Sequence, residues 1–317
     1  MSDSPKLAAE FVHLHVHTQF SLLNAIPTSK ELAKAAKADG QDALAITDNG
    51  ALYGAIEHLK ACQAEDIKPI IGIDAFIAPR TRFDREPIDK PRARLVLLAK
   101  NNEGYQNLIK LVTLSNTEGF YYRPRVDHEL LKELSSDLIA ILPSFAGETT
   151  QHLKNGDNEK AQAELDWYQT VYGENLYLEI THHPEILDHP ELQTKIKDLA
   201  TETSTPLVAA HDVYYMKKED AVAREAMIRI QNGGVLDINE ERSEDFSFIT
   251  QATAKEYFAN EPEALANTVK IAEACTVEIP LGQAAWKFPN YVIESGKTPD
   301  EELKEKAYEG VAWRGHD

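Results

Sequence analysis

Phe11-Val12-His13-Leu14-His15-Val16-His17-Thr18 is the stretch on which the reading of this chain turns. His13, His15 and His17 alternate with Leu14 and Val16, the period of two that a strand shows, so all three imidazoles are expected on one face. Neutral imidazole is a nitrogen ligand at about 2 Å from a divalent ion, and two such residues at the end of a first barrel strand suit one. The other reading of the same residues is a set of buried, hydrogen-bonded histidines beneath a loop. The motif alone leaves both open.

Working outward, apolar runs rich in β-branched residues alternate with runs of helical period, the rhythm of βα units around a parallel sheet. Strands are expected over 11–17, 43–47, 69–77, 95–99, 138–142, 176–180 and 207–210. Thr28 followed by Glu31 marks the start of a helix that Asp39-Gly40 ends. Further helices are expected over 53–64, 105–114, 160–172 and 192–201. The charged stretch 79–92 interrupts the rhythm and reads as an exposed loop or hairpin. Seven strands with helices between them fit an α/β fold, a distorted (βα) barrel of about 200–250 residues. An open doubly wound sheet is less apt, because no glycine-rich phosphate loop follows the first strand.

From about Arg242 the character changes, with helices expected over 253–258 and 262–275 and a short strand over 279–282. Residues 285–291, with Trp286, Phe288 and Pro289, read as a connector, and a charged helical run from Thr298 stops at Asp317 as a truncated element would. The expected division is a disordered 1–10, a barrel over 11–241, a helical extension over 242–284 and a connector over 285–317 that opens a further region.

The net charge of −19 over 317 residues argues against a face that grips phosphate backbones, so contact with DNA would be indirect. Cys62 and Cys275 sit in amphipathic segments and read as buried free thiols. No apolar run reaches the length of about 18 residues that spans a bilayer, and the polar start Met1-Ser2-Asp3-Ser4 lacks a signal-peptide core. A reducing cytoplasm and no membrane are therefore expected.

Carboxylates also fall near strand ends: Asp48 in Thr47-Asp48-Asn49-Gly50, Asp74 two residues past Gly72, and Asp212 after His211. Gathered at one rim with two histidines, they would make a first shell for metal-assisted phosphoester hydrolysis. Taken singly, each reads as a cap or turn residue. Glu179 and His182-His183 at the end of 176–180 read as rim residues facing solvent.

In combination and order these segments resemble a known family. Phe11 to Thr18, Ser21-Leu22-Leu23, Ala45-Ile46-Thr47-Asp48, Pro69-Ile70-Ile71-Gly72, Leu97-Leu98-Ala99 with Gly104-Tyr105-Gln106-Asn107-Leu108, Asp212-Val213 with Tyr215, and Pro262-Glu263-Ala264-Leu265-Ala266-Asn267-Thr268 are similar to the opening of bacterial DNA polymerase III α subunits. That opening is a PHP (polymerase and histidinol phosphatase) domain, and the likeness runs to at least Pro289. It implies a barrel of PHP type followed by a short helical connector, and metal ligands at His15, His17, Asp74 and Asp212. Against the family pattern stand Asn24 for an acidic ligand, Asn49 and Arg94 for histidines, Phe145 near a cysteine or histidine, and Tyr214 for the last histidine.

Arg94 would set a permanent positive charge where a cation should bind, and amides, phenyl and phenol are poor ligands. The four survivors are thus expected to form a vestigial site without a bound cofactor, with residual zinc, manganese or magnesium as the exception. The resemblance further implies a structural and docking role, with the rest of the α subunit and its proofreading exonuclease subunit as partners. The competing expectations are an active metal-dependent phosphoesterase or 3′-5′ exonuclease, and an unrelated barrel enzyme for which no catalytic constellation is evident. Polymerisation is not expected of these residues, since the family's catalytic aspartates lie beyond Asp317.

Overall fold

A computed structural model describes residues 7–231, 233, 244–282 and 291–315. Its centre is a sheet of seven strands: β1 (Ala43–Asn49), β2 (Lys68–Ile77), β3 (Ala93–Ala99), β4 (Arg125–Val126), β5 (Leu138–Leu142), β6 (Leu176–Ile180) and β7 (Leu207–Ala209). They pair in the order β1-β2-β3-β5-β6-β7, with β4 on β2. The pairing is not all parallel. β3 runs antiparallel to both β2 and β5, which turns its first residues toward the rim where β1, β2 and β6 end. A run of apolar residues gives no sign of its direction, so alternation with helices could not show this reversal.

Phe11–Thr18 forms no ladder strand; its one bridge is Val16 to Val213. It nevertheless lies between the edges of the curled sheet. The amides of Ala45 and Thr47 donate to the carbonyls of His13 and Val16 at 3.0 and 2.8 Å, and on the other side His17 N donates to Val213 O at 2.9 Å. Val16 N turns aside to the Thr47 hydroxyl at 2.8 Å, and the chain bends at His15, which breaks the expected alternation. β4 escaped sequence reading because two residues carry no period.

Side chains divide by the pleat. Ala43 and Ala45 point into the barrel with Val12, Leu14, Ile70, Val96, Leu98, Ile141 and Val208. Leu44 points outward onto Leu32, Ala33, Ala36 and Cys62, which belong to α1 (Ser29–Ala38) and α2 (Ala55–Ala64). Helix α1 opens on the expected Thr28–Glu31 capping box. The outer layer continues with α3 (Asn102–Thr117), α4 (His128–Glu133), α5 (Glu148–Lys154), α6 (Asn158–Tyr172), α7 (His189–Thr203) and α8 (Ala221–Gln231). Of these, α4, α5 and α8 had no counterpart in the sequence reading, being one to three turns long. The loop 78–92 is not a hairpin. The buried Arg125 guanidinium holds it by donating to the carbonyls of Gly119, Asp89, Arg82 and Asp84.

Helices α9 (Gln251–Tyr257) and α10 (Pro262–Ala274) follow, and Ile271, Ala272 and Cys275 pack into the barrel core. The compact unit runs through Glu278, and residues 279–317 form a second unit. No strand forms at 279–282. The second unit contains α11 (Pro299–Trp313), opened by a Thr298–Glu301 capping box. The 241/242 division and the residues Trp286, Phe288 and Pro289 lie outside the described residues, as do 1–6 of the expected disordered start. Both cysteines are buried and unpaired. No described helix is long and apolar enough to cross a membrane.

Two expected outcomes test this packing. A Cβ at Gly72 would stand 2.5 Å from both the Leu97 carbonyl oxygen and Leu98 Cδ2, so Gly72→Ala should lower unfolding free energy by about 1–3 kcal/mol in urea titration. His58, buried, donates its Nε2 hydrogen to Leu44 O at 3.0 Å, and burial pulls its pKa down to about 4 against that bond. The neutral ring is the folded form, so its contribution is complete above the unfolded value near 6.5 and is lost as pH falls from there toward 4. Urea titrations at pH 7.5 and 4.5 should show a stability loss that His58→Gln reduces by up to about 3 kcal/mol.

Candidate metal centre

The four residues expected to ligate an ion do converge. Asp74 comes from β2, Asp212 follows β7, and His15 and His17 come from the bridging segment. All four are buried. His15 Nε2 is 3.2 Å and His17 Nε2 3.7 Å from Asp74 Oδ2, while His15 Nδ1 is 3.0 Å from Asp212 Oδ1. The third histidine leaves the group. The ring of His13 bonds Ile249 O at 2.9 Å and packs against Phe248, because the bend at His15 ends the alternation.

Glu179 joins the site instead. It faces neither solvent nor the rim exterior but is fully buried, 2.8 Å from His15 Nδ1, and its other oxygen accepts from Ser144 N at 3.0 Å. The signal was available: Glu179 shares a face of β6 with Tyr177, and Tyr177 belongs to the core. His183 is likewise buried, stacked on His211 with ring centroids 5.0 Å apart, whereas His182 lies half-buried on Tyr257.

Arg94, delivered to this rim by the antiparallel run of β3, fills the centre. Its Nε donates to Asp74 Oδ1 at 2.8 Å, and its terminal nitrogen donates to Asp74 Oδ2 and to Asn49 Oδ1. Burial alone would push the Asp74 carboxyl up, but Arg94 and then His15 outweigh it and hold it well below the usual range. Burial of His15 opposes its charge, yet Asp212 and Glu179 raise it; burial and the neighbouring His15 lower His17. Ligand atoms of two trios, His15–His17–Asp74 and His15–Glu179–Asp212, lie within 4.8 Å of one another.

The other departures from the family pattern are also filled by protein. Asn24 accepts from Arg224 Nε through its backbone carbonyl at 3.0 Å and, at 3.4 Å, from the guanidinium's terminal nitrogen through its side-chain Oδ1, and the same guanidinium lies 3.9 Å above the Tyr214 ring. Tyr214 stacks on His17 at 4.2 Å and Phe145 on His189 at 4.9 Å. Asp48 takes no place among the ligands; it accepts from Thr18 N, the Thr18 hydroxyl and the Ser21 hydroxyl at 2.6–2.7 Å. A cavity of about 380 Å³ opens beside Arg94, lined by Phe20, Phe76, Arg92, Tyr122 and Arg123 among others.

The PHP domain family matches residues 13–183. The DNA polymerase III subunit alpha of Deinococcus radiodurans is 36% identical over 323 aligned positions, covering 96% of this chain and 24% of that protein. Its counterpart in Thermus aquaticus is 35% identical, covering 96% and 26%. The chain thus spans about a quarter of the length of the curated relatives it matches. A solved putative metal-dependent phosphoesterase from Bifidobacterium adolescentis aligns over 78% of this chain and 95% of its own, at 10% identity and a TM-score of 0.43, a likeness too slight to argue from.

Removing the guanidinium leaves Asp74 charged, buried and without its main partner. Arg94→Ala should therefore destabilise the fold by about 3–5 kcal/mol in denaturant titration, with Arg94→Lys intermediate because a point charge replaces a two-pronged donor.

Proposed function

The chain belongs to the PHP domain family, and on that premise we propose that it serves as the PHP domain of a DNA polymerase III α subunit, acting as a structural and partner-docking module with a vestigial metal site. The observation that carries this reading is the Arg94 guanidinium bound to both oxygens of Asp74. A divalent ion at His15–His17–Asp74 would have to share that carboxylate with a fixed positive charge, which repels it. The side-chain Oδ1 of Asn49 and, at 3.4 Å, of Asn24 accept from arginine, and Tyr214 and Phe145 are engaged in ring stacking. The residues present do not fit a multinuclear centre, so no catalytic step is assigned to one.

What remains is a barrel whose core is complete and whose rim is bound together by its own side chains. Its partners in this reading are the remainder of the α subunit and the proofreading exonuclease subunit, with DNA reached only through them, in keeping with the charge of −19. A second reading, a metal-dependent phosphoesterase, draws on His15–Glu179–Asp212, a trio that Arg94 does not contact within hydrogen-bond distance.

Co-purification separates the two. Immobilised chain should capture the proofreading exonuclease subunit equally with and without chelator, and should not hydrolyse single-stranded DNA in Mn²⁺ or Zn²⁺. Capture abolished by chelation, or hydrolysis that disappears in a His15→Ala, His17→Ala double variant, would favour the phosphoesterase. Failure to capture the exonuclease in either condition would defeat the docking role.

A further inference from the structure

Outside the barrel rim, three helices of the outer layer bring a second set of ligand atoms together. His128 opens α4, Glu148 opens α5, and Glu164 lies in the middle of α6. His128 Nε2 is 2.9 Å from Glu148 Oε2 and 3.2 Å from Glu164 Oε1, and the three ligand atoms lie within 4.8 Å of one another. Around a tetrahedral ion with bonds of about 2.0–2.1 Å, ligand atoms stand roughly 3.3 Å apart. The two imidazole–carboxylate distances are close to that value.

The surroundings orient these atoms as a ligand set. Trp167 stacks on the His128 ring with centroids 3.9 Å apart and planes 15° from parallel, which fixes the imidazole. The Tyr168 hydroxyl, on a fully buried side chain, donates to Glu148 Oε2 at 2.5 Å, the outer-sphere bond that a metal-binding carboxylate usually has. Glu164 Oε1 is shut off from solvent; His128 Nε2 stands 3.2 Å from it, but its single hydrogen is aimed at Glu148. An acceptor left so is costly unless a cation reaches it. Two carboxylates face at most one imidazolium here, and the His128 side chain, 36% exposed, leaves a way in and open positions for water.

We propose that His128, Glu148 and Glu164 form a zinc site that clips α4, α5 and α6 together, independent of the barrel rim. In the metal-free chain a proton on His128 takes the ion's place. Zinc would displace this proton to solvent and bond all three donors at once, giving Glu164 Oε1 its missing partner. The donor set of one imidazole and two carboxylates suits Zn²⁺ better than Ca²⁺ or Mg²⁺, which favour all-oxygen shells. The proposal does not depend on the docking role of the barrel.

Calorimetric titration of the full chain with zinc chloride is the test. One ion per chain should bind. His128→Ala and the isosteric Glu164→Gln should each weaken it by at least about tenfold, and Tyr168→Phe, which removes only the orienting hydroxyl, by about tenfold. The His15→Ala, His17→Ala double variant should bind zinc as the parent does. Zinc should also raise the thermal midpoint of the parent chain but not of His128→Ala, provided circular dichroism shows the variant folded. Absence of binding to the parent chain, binding unchanged in both His128→Ala and Glu164→Gln, or binding lost in the His15, His17 double variant would each overturn the assignment.

Discussion

The ion pair between Arg94 and Asp74 is the constraint around which the rim is organised. Two charges removed from water attract strongly, but each has lost its hydration, so the pair is stable only as a pair. Asp74 is almost wholly inaccessible, and Arg94 retains a small exposed edge. The guanidinium is planar and offers several donors, so it can hold β2 through Asp74 and the end of β1 through Asn49 at once. The pair thus does mechanically what a bridging ion does in a metal site: it ties strand ends together with a positive charge.

A second buried acid anchors the segment that carries the histidines. Asp48 accepts three short hydrogen bonds from Thr18 and Ser21, just past His17. Burial outweighs these donors and pushes its carboxyl up to about 6. Together with the Val213 and Thr47 backbone bonds, this holds Phe11–Thr18 between the sheet edges without a regular ladder. His15 and His17 are therefore positioned by side-chain hydrogen bonds of the Asp48 network as much as by strand geometry. At the opposite side of the interior, α10 contributes Ile271, Ala272 and Cys275 to the same core as Val12 and Leu14. The barrel is covered at one end by a helix and closed at the other by its own charges.

Six of the seven expected strands are where the alternating pattern places them, because a buried strand must be apolar on both faces and its helices on one. That His15, His17, Asp74 and Asp212 share a rim was legible from strand ends of a barrel, although strand ends alone also offered Asp48, and the narrower set of four came from the family resemblance. Glu179 was misjudged because a lone carboxylate next to histidines suggests solvent, whereas its strand alternation with Tyr177 turns it inward. His13 was misjudged for the opposite reason: alternation was assumed to continue through a bend.

The sequence by itself determined the class of fold, the rim on which chemistry could occur, and the presence of a fixed positive charge among the ligand positions. The first two follow from composition, period and side-chain chemistry, which are local properties; the third rests on the family resemblance. Only the tertiary structure decided the direction of β3, because hydrogen-bond direction between strands leaves no mark on either strand's residues. That reversal brings Arg94 to the same rim as Asp74. It also decided that His128, Glu148 and Glu164, up to 36 positions apart and on three different helices, meet at one point, because a helix's period does not tell which other helix it packs against.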